Sequence, residues 1–424
     1  MNLNSKDKEE YWNKRSEQRI VDAENLTTDM LKKLKKTYEK AYLELEKEIN
    51  AFYGKYSTET GLDITEVRKR LDPKELKTFK EQLKQYYDEV KRLGGYSKDT
   101  KEYLRELSAK AYISRLDALQ AQLRFQIETL YRQVNLDVSD SLQDGYKETY
   151  YKTTFDNQKG IGFAYSFNAL DDNKVRVAIT QNWQGSNFSD RIWNDKNKLI
   201  ETINQKIPQG IALGQNPRKV ARDMAKSLET RYSNCERLAR TEMNFIANQA
   251  SREAYKETPE VLQQYKILAT LDNRTSEICQ EQDGKVYKMS EWIEGVTAPP
   301  FHPNCRTTTI PYFDDMPIDE YGRIATDYST GQAYYVPSNM TYKEWRASLT
   351  EKQDKYFIAD KKIREQHSTD KQQLAEYRKL QTKNPALFEG MPRTLKEYQE
   401  YKYLQPDKYE ILKQNARIVR SEMK

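Results

Sequence analysis

The chain has 424 residues, 32% of them charged and 37% drawn from AVILMFWYC, with 71 Lys and Arg against 65 Asp and Glu for a formal charge of +6. So polar a chain has a thin core and much surface, yet 31 Tyr, 12 Phe and 5 Trp are too many aromatics for a disordered tail. No run approaches 18 apolar residues, the opening ten residues lack the apolar core of a signal peptide, and three cysteines are too few for a disulfide framework.

The weak basic excess allows contact with nucleic acid without establishing it. Only Pro73 precedes Pro208, so almost nothing interrupts helices in the first half. Leu34, Tyr38, Ala41, Leu45, Ile49, Phe52 and Tyr56 step by four and three, and so do Leu116, Leu119, Leu123, Ile127, Leu130 and Val134. That spacing places each set on one helical face. Between them Asp72-Pro73 reads as an N-cap carboxylate followed by proline at the first helical position, and Gly61 and Gly94-Gly95 read as loops. Residues 1–165 are therefore expected to form long antiparallel helices packed on one another, with seams to a partner chain as the alternative.

Asn187 to Lys206 reads as a helix with Ile192, Trp193, Leu199, Ile200 and Ile203 on its apolar face. Gly210 and Gly214 then suggest a turn, Asn216-Pro217 the start of a helix, and Arg231 to Lys256 a further helix. Inside the last sit Arg240, Thr241, Glu242 and Asn248, a polar set that an amphipathic helix does not need. After Pro259 the texture turns β: Tyr265 to Leu271, Lys285 to Tyr287 and Arg306 to Tyr312 are strand-like. They are punctuated by Asp272-Asn273-Arg274, Asp283-Gly284 and the stiff run Ala298 to Cys305. From Thr341 the chain returns to charged helical text.

Two of the three cysteines and one of two histidines fall between 279 and 305. Cys279, His302 and Cys305 offer two thiolates and an imidazole, the chemistry of a zinc site. A closed structural site wants a fourth ligand, for which Asp272, Asp283 and Cys235 are candidates; the other reading is a hydrogen-bonded knot of buried cysteines. Catalysis would need Glu277 or Asp283 beside the ion, or Cys305 as a nucleophile with His302. A Pro-locked loop does not favour a facing Cys–His pair, so no catalytic residue is assigned.

The stretch from Gly214 to Tyr312 resembles the phage Mu F-like minor head protein family of tailed phages. The resemblance is carried by Ala239-Arg240-Thr241-Glu242 with Asn248, by Asp272-Asn273-Arg274-Thr275, by Cys279, by Asp283-Gly284-Lys285-Val286 and by Pro299 to Arg306. Tyr11-Trp12-Asn13-Lys14-Arg15 is similar to the start of minor capsid proteins from phages of Gram-positive hosts. Ser276 and Thr307 stand where fuller versions of the family carry cysteine, which leaves three candidate ligands.

Spacing and resemblance together lead to the expectation of a mainly α chain: a long-helix N-terminal bundle over 1–165, a helical linker region, a small α+β Mu F-like head-morphogenesis domain over 181–315, a linker over 316–340 and a charged helical C-terminal region over 341–424. The resemblance implies a minor capsid protein in few copies, at the portal vertex or in the head interior after assembly in the host cytoplasm, and its role is expected to be non-enzymatic. Portal, capsid or scaffold proteins are its partners, with double-stranded DNA touched non-specifically and, in some members, accompanied out of the head. No cofactor is required, and zinc is the one that the cysteine–histidine cluster would hold. Arg240, Glu242, Asp272 and Arg274 are expected to form a polar network joining helix to β segment. No DNA-binding residue is assigned, although Lys32-Lys33-Lys35-Lys36 and Lys361-Lys362-Arg364 are candidate patches. The alternatives are a metal-dependent nuclease or transferase delivered with the genome, or an internal scaffold absent from the mature head.

Overall fold

The computed structural model describes residues 5–58, 61–62, 64–161, 164, 166–213, 215–259, 261–312 and 322–422. It is mainly helical, and its chain divides into two compact units. The first comprises residues 1–270, 277–323 and 336–342; the second comprises 271–276, 324–335 and 343–424.

Helix α1 (Ser5–Tyr56) opens the first unit, followed by the short antiparallel pair β1 (Ser57–Thr58) and β2 (Gly61–Leu62). Helices α2 (Ile64–Arg68), α3 (Pro73–Arg92), α4 (Lys98–Ala109) and α5 (Arg115–Ile161) come next. The α3 start is the expected one. Asp72 accepts from Lys74 N and Glu75 N, Glu75 reaches back to Asp72 N, and Pro73 sits in the first turn. The two apolar stripes pack intramolecularly: Leu34, Leu45 and Ile49 share one core with Leu119, Leu123, Ile127 and Val134. Side chains of Tyr11 to Arg15 lie outside the described residues.

Helices α6 (Asp172–Ile179), α7 (Phe188–Ala212) and α8 (Pro217–Tyr255) complete the bundle and bring Ile192, Leu199, Ile203, Met243 and Phe245 into the same core. Three expectations differ here. Helix α7 runs through Pro208 to Ala212, because Ile207 and Ile211 are both buried and hold the last turn down despite the lost backbone donor. Gly210 is helical rather than a turn, and a Cβ there would stand 2.9 Å from Val220 Cγ2, so the residue permits close approach to α8. Residues 217–255 are moreover one helix rather than two.

The β-containing part places β3 (Gln264–Leu268) between β4 (Val286–Lys288) and β5 (Thr308–Tyr312), antiparallel to both, with Tyr265 opposite Tyr287 and Pro311. Between β3 and β4 lies α9 (Glu277–Gln282). Its own small core gathers Tyr255, Tyr265, Ile267, Cys279, Trp292, Phe301 and Cys305.

Strands β6 (Arg323–Asp327) and β7 (Gln332–Val336) pair, and α10 (Tyr342–Ser348) and α11 (Glu351–Lys383) follow. In the second unit α12 (Leu395–Leu404) and α13 (Pro406–Glu422) fold back on the end of α11 around Leu374, Tyr377, Phe388, Tyr398, Leu412 and Val419. No described helix is long and apolar enough to cross a membrane.

Candidate metal centre

Cys279 sits on α9, and His302 and Cys305 sit on the loop leading to β5; their ligand atoms all lie within 4.8 Å of one another. Cys279 Sγ is 3.1 Å from His302 Nε2 and 3.6 Å from Cys305 Sγ, and both sulfurs are buried and outside any disulfide. The loop is shaped by its own backbone. Cys305 N–H donates to His302 O (3.1 Å), and Asn304 adopts a left-handed φ of 61°. Its N–H donates to Thr241 Oγ1 on α8 (3.0 Å).

His302 Nδ1 donates to Pro303 O at 2.8 Å, which leaves Nε2 turned toward the sulfurs. Fixing one ring nitrogen on a carbonyl so that the other faces the ligand position is how metal-binding histidines are oriented. The hydrogen bond from Cys279, joined by that from His302, holds the Cys305 thiol well below its ordinary range against the opposing effect of burial. The Cys305 sulfur in turn raises the His302 pKa. Two sulfurs and an imidazole nitrogen converging on one point suit a thiophilic divalent ion.

Among the described residues this cluster has three donors. Asp283 is occupied elsewhere: it accepts from Ala269 N (2.7 Å), Tyr342 N (2.6 Å) and Arg323 Nη1 (2.9 Å). Cys235 lies in the helical core, where burial pushes its thiol up to about 12. Asp272 accepts from Arg274 N and Thr275 Oγ1, both at 3.0 Å, within its own turn.

The four residues read as a polar network have these positions. Arg240 is exposed and pairs with Glu236 at 3.1 Å, one turn back on α8. Glu242, two residues on, points to the opposite side and is buried. It accepts Trp183 Nε1 at 3.0 Å and pairs with Arg191, while burial raises its pKa. Asp272 and Arg274 bond to each other in the turn after β3, Arg274 N to Oδ1 at 3.0 Å and Nε to Oδ2 at 3.4 Å.

The other polar residues of α8 serve β5: Asn244 Nδ2 donates to Thr307 O (2.9 Å), Tyr255 OH to Thr309 O (3.1 Å), and Thr309 Oγ1 meets Asn248 Oδ1 at 3.5 Å. Sequence reasoning did not single out Arg323, Arg191 or Trp183. Arg323 lay in what reads as a linker, and only the Asp-Gly turn hinted that a buried carboxylate needed a cation. Of the candidate basic patches, Lys32 pairs with Asp29 (2.9 Å) and Lys35 with Glu39 (3.8 Å) on an exposed face of α1. On α11, Lys361 faces Glu365 (3.9 Å), and Arg364 binds Asp360 (3.0 Å) and Asn273 O (2.9 Å).

Comparison with known proteins agrees with the region carrying these residues. The family model described as Phage Mu protein F like protein matches residues 201–310. The chain is 24% identical over 295 residues to the minor head protein GP7 of Bacillus phage SPP1, covering 66% of this chain and 92% of that protein. It is also 24% identical over 233 residues to the NAD(+)--arginine ADP-ribosyltransferase EFV of Enterococcus faecalis, covering 49% of this chain and 48% of that relative. The chain thus aligns with about half the length of the transferase. No solved structure matches. Over residues 201–310 the chain is thus similar to the phage Mu protein F like family.

Proposed function

We propose that this chain is a minor head protein of a tailed phage, non-enzymatic and present in few copies at the portal vertex or in the head interior. In this reading residues 1–165 dock to portal and to capsid or scaffold proteins, and residues 181–315 are the head-morphogenesis domain. Residues 316–340 link it to the helical region 341–424, and exposed Lys/Arg faces touch packaged DNA. The chain assembles in the host cytoplasm and leaves the head with the genome. The observation that carries the reading is the similarity spanning nine tenths of the SPP1 minor head protein. Quantitative mass spectrometry on particles, comparing full heads with heads emptied by triggered ejection, tests it. A few copies per full head and loss on emptying are expected. Retention in both would make it a fixed part of the portal region, and absence from full heads would turn the reading to an internal scaffold.

Within that domain Cys279, His302 and Cys305 hold one zinc ion that ties α9 to the loop before β5. The fit rests on the donor set and on the Nδ1 hydrogen bond that aims His302. Bound there, zinc supplies a cross-link to a region whose own core is small. Elemental analysis should find one equivalent of zinc in the purified protein and almost none in Cys279→Ser; equal content near zero in both would sink the site.

The similarity to the Enterococcus transferase favours a second reading, an NAD-dependent arginine ADP-ribosyltransferase. Incubation with NAD and a soluble arginine analogue, followed by mass measurement of the acceptor, decides it: an unmodified acceptor excludes that activity.

A further inference from the structure

Of the three cysteines, Cys279 and Cys305 lie together, while Cys235 belongs to the separate helical core. We propose that the pair is also a site of covalent modification: hydrogen peroxide oxidises it to a disulfide that ties α9 to the loop before β5 without a metal. The proposal deepens the reading of the cysteine–histidine cluster given above, and it rests on the two sulfurs rather than on zinc.

One distance serves both uses. With Zn–S bonds of about 2.3 Å, two sulfurs on a tetrahedral ion stand about 3.8 Å apart. A disulfide needs about 2.05 Å. The two sulfurs are 3.6 Å apart, so the covalent bond requires an approach of about 1.5 Å. Short elements share that movement: α9 has six residues, and 301–307 belong to no helix or strand.

Burial selects the oxidant. Cys279 and Cys305 are 2% and 3% exposed, while His302 is half-buried and Pro303 and Asn304 are exposed. Hydrogen peroxide, little larger than water, enters such a place where a thiol the size of glutathione does not. The first sulfur oxidised therefore meets its neighbour before any thiol from solution. Cys305 attacks one peroxide oxygen, the O–O bond breaks, water leaves, and Cys305 becomes a sulfenic acid. Cys279 then attacks that sulfur. Its proton passes to His302 Nε2, 3.1 Å away and unprotonated because Nδ1 donates to Pro303 O. From there it reaches the departing hydroxyl, which leaves as a second water. Each sulfur gives up one electron, and the peroxide takes both.

The oxidised cluster keeps His302 as its one ligand and no longer holds zinc. A chain that leaves a reducing cytoplasm in a released particle, as read above, thereby exchanges one tie for another at the same place.

Thiol counting on the full chain tests the proposal. The protein is treated with a chelator and then with a slight excess of hydrogen peroxide; remaining thiols are alkylated under denaturing conditions and mapped by mass spectrometry without reduction. Untreated protein should show three alkylated cysteines. Treated protein should show Cys235 alone, an intact mass lower by two hydrogens, and linked peptides bearing Cys279 and Cys305. In Cys279→Ser, dimedone should capture Cys305 as a sulfenic acid and leave Cys235 untouched. Three thiols surviving peroxide, Cys279 and Cys305 ending as unlinked sulfinic acids, or a linkage through Cys235 would each overturn the inference. Zinc uptake by the reduced protein is measured separately. Linkage without uptake would remove the zinc reading and keep the disulfide, and uptake without linkage would do the reverse.

Discussion

At the scale of single residues, the contrast between Arg323 and Arg240 separates a structural charge from a decorative one. Arg323 is buried and grips Asp283 through two nitrogens, at 2.9 and 3.1 Å, while also donating to Ala269 O and Met340 O. Arg323→Leu would strand the Asp283 carboxylate, itself fully buried, and should cost about 3–5 kcal/mol in denaturant unfolding. Arg240→Ala removes only an exposed pair one helical turn long and should change stability by about 0–1 kcal/mol. Equal effects in the two variants would show that the burial argument is wrong. Gly284, with φ of 79°, lets Asp283 end α9 and meet Arg323 at once, since that backbone disfavours a side chain.

At the scale of elements, periodic text was readable and tertiary contact was not. The stripes beginning at Leu34 and Leu116 became buried faces because stepping by three and four is a property of the helix itself. Asp72-Pro73 became a cap for the same local reason. Pro208 and Gly210 misled because their roles depend on what lies across from them: Ile207 and Ile211 sink into the core, and Val220 crowds the glycine. Likewise Lys196 looks like a surface charge in the sequence. It is fully buried against Glu128 (2.8 Å), Asp99 and Ser97, a cluster whose members come from α4, α5 and α7. At the metal-centre candidate the Cys/His types were legible at once, but the Pro303 carbonyl that orients His302 was not.

Burial pushes Glu75 up, but Lys55, Tyr56, the Asp72 N–H and Arg115 all donate to it and bring its pKa down from 4.5 to about 2. A carboxylate lowered in the folded state contributes stability that is complete above 4.5 and lost as pH falls toward about 2. Glu75→Gln should therefore flatten the acid limb of the stability curve in that window. An unchanged limb would count against the assignment. Asp72→Ala, removing the cap, should cost about 1 kcal/mol at any pH above that window.

At the scale of the whole molecule, each of the two units carries its own core. In the second unit α11 joins two packed regions, around Phe357 and around Leu374, through Glu365 to Thr369, whose side chains are all exposed. A helix segment polar on every side lacks tertiary support and relies on its backbone bonds alone. Hydrogen exchange should therefore be faster at 365–369 than in the α5 core around Ile127, by orders of magnitude if opening is local. Uniform protection along α11 would mean that the segment is covered by a partner or by another part of the chain.

Helix α8 contributes to the bundle core through Met243 and Phe245, to the segment entering β5 through Asn244, and to the cysteine–histidine loop through Thr241. All of these are fixed to one rigid rod. Inserting a single residue ahead of Arg237 would swing everything beyond it by about 100° and misalign all three places together. Length changes within α8 are thus barred as a class, and relatives of this chain should differ in length at its loops while keeping this helix in register.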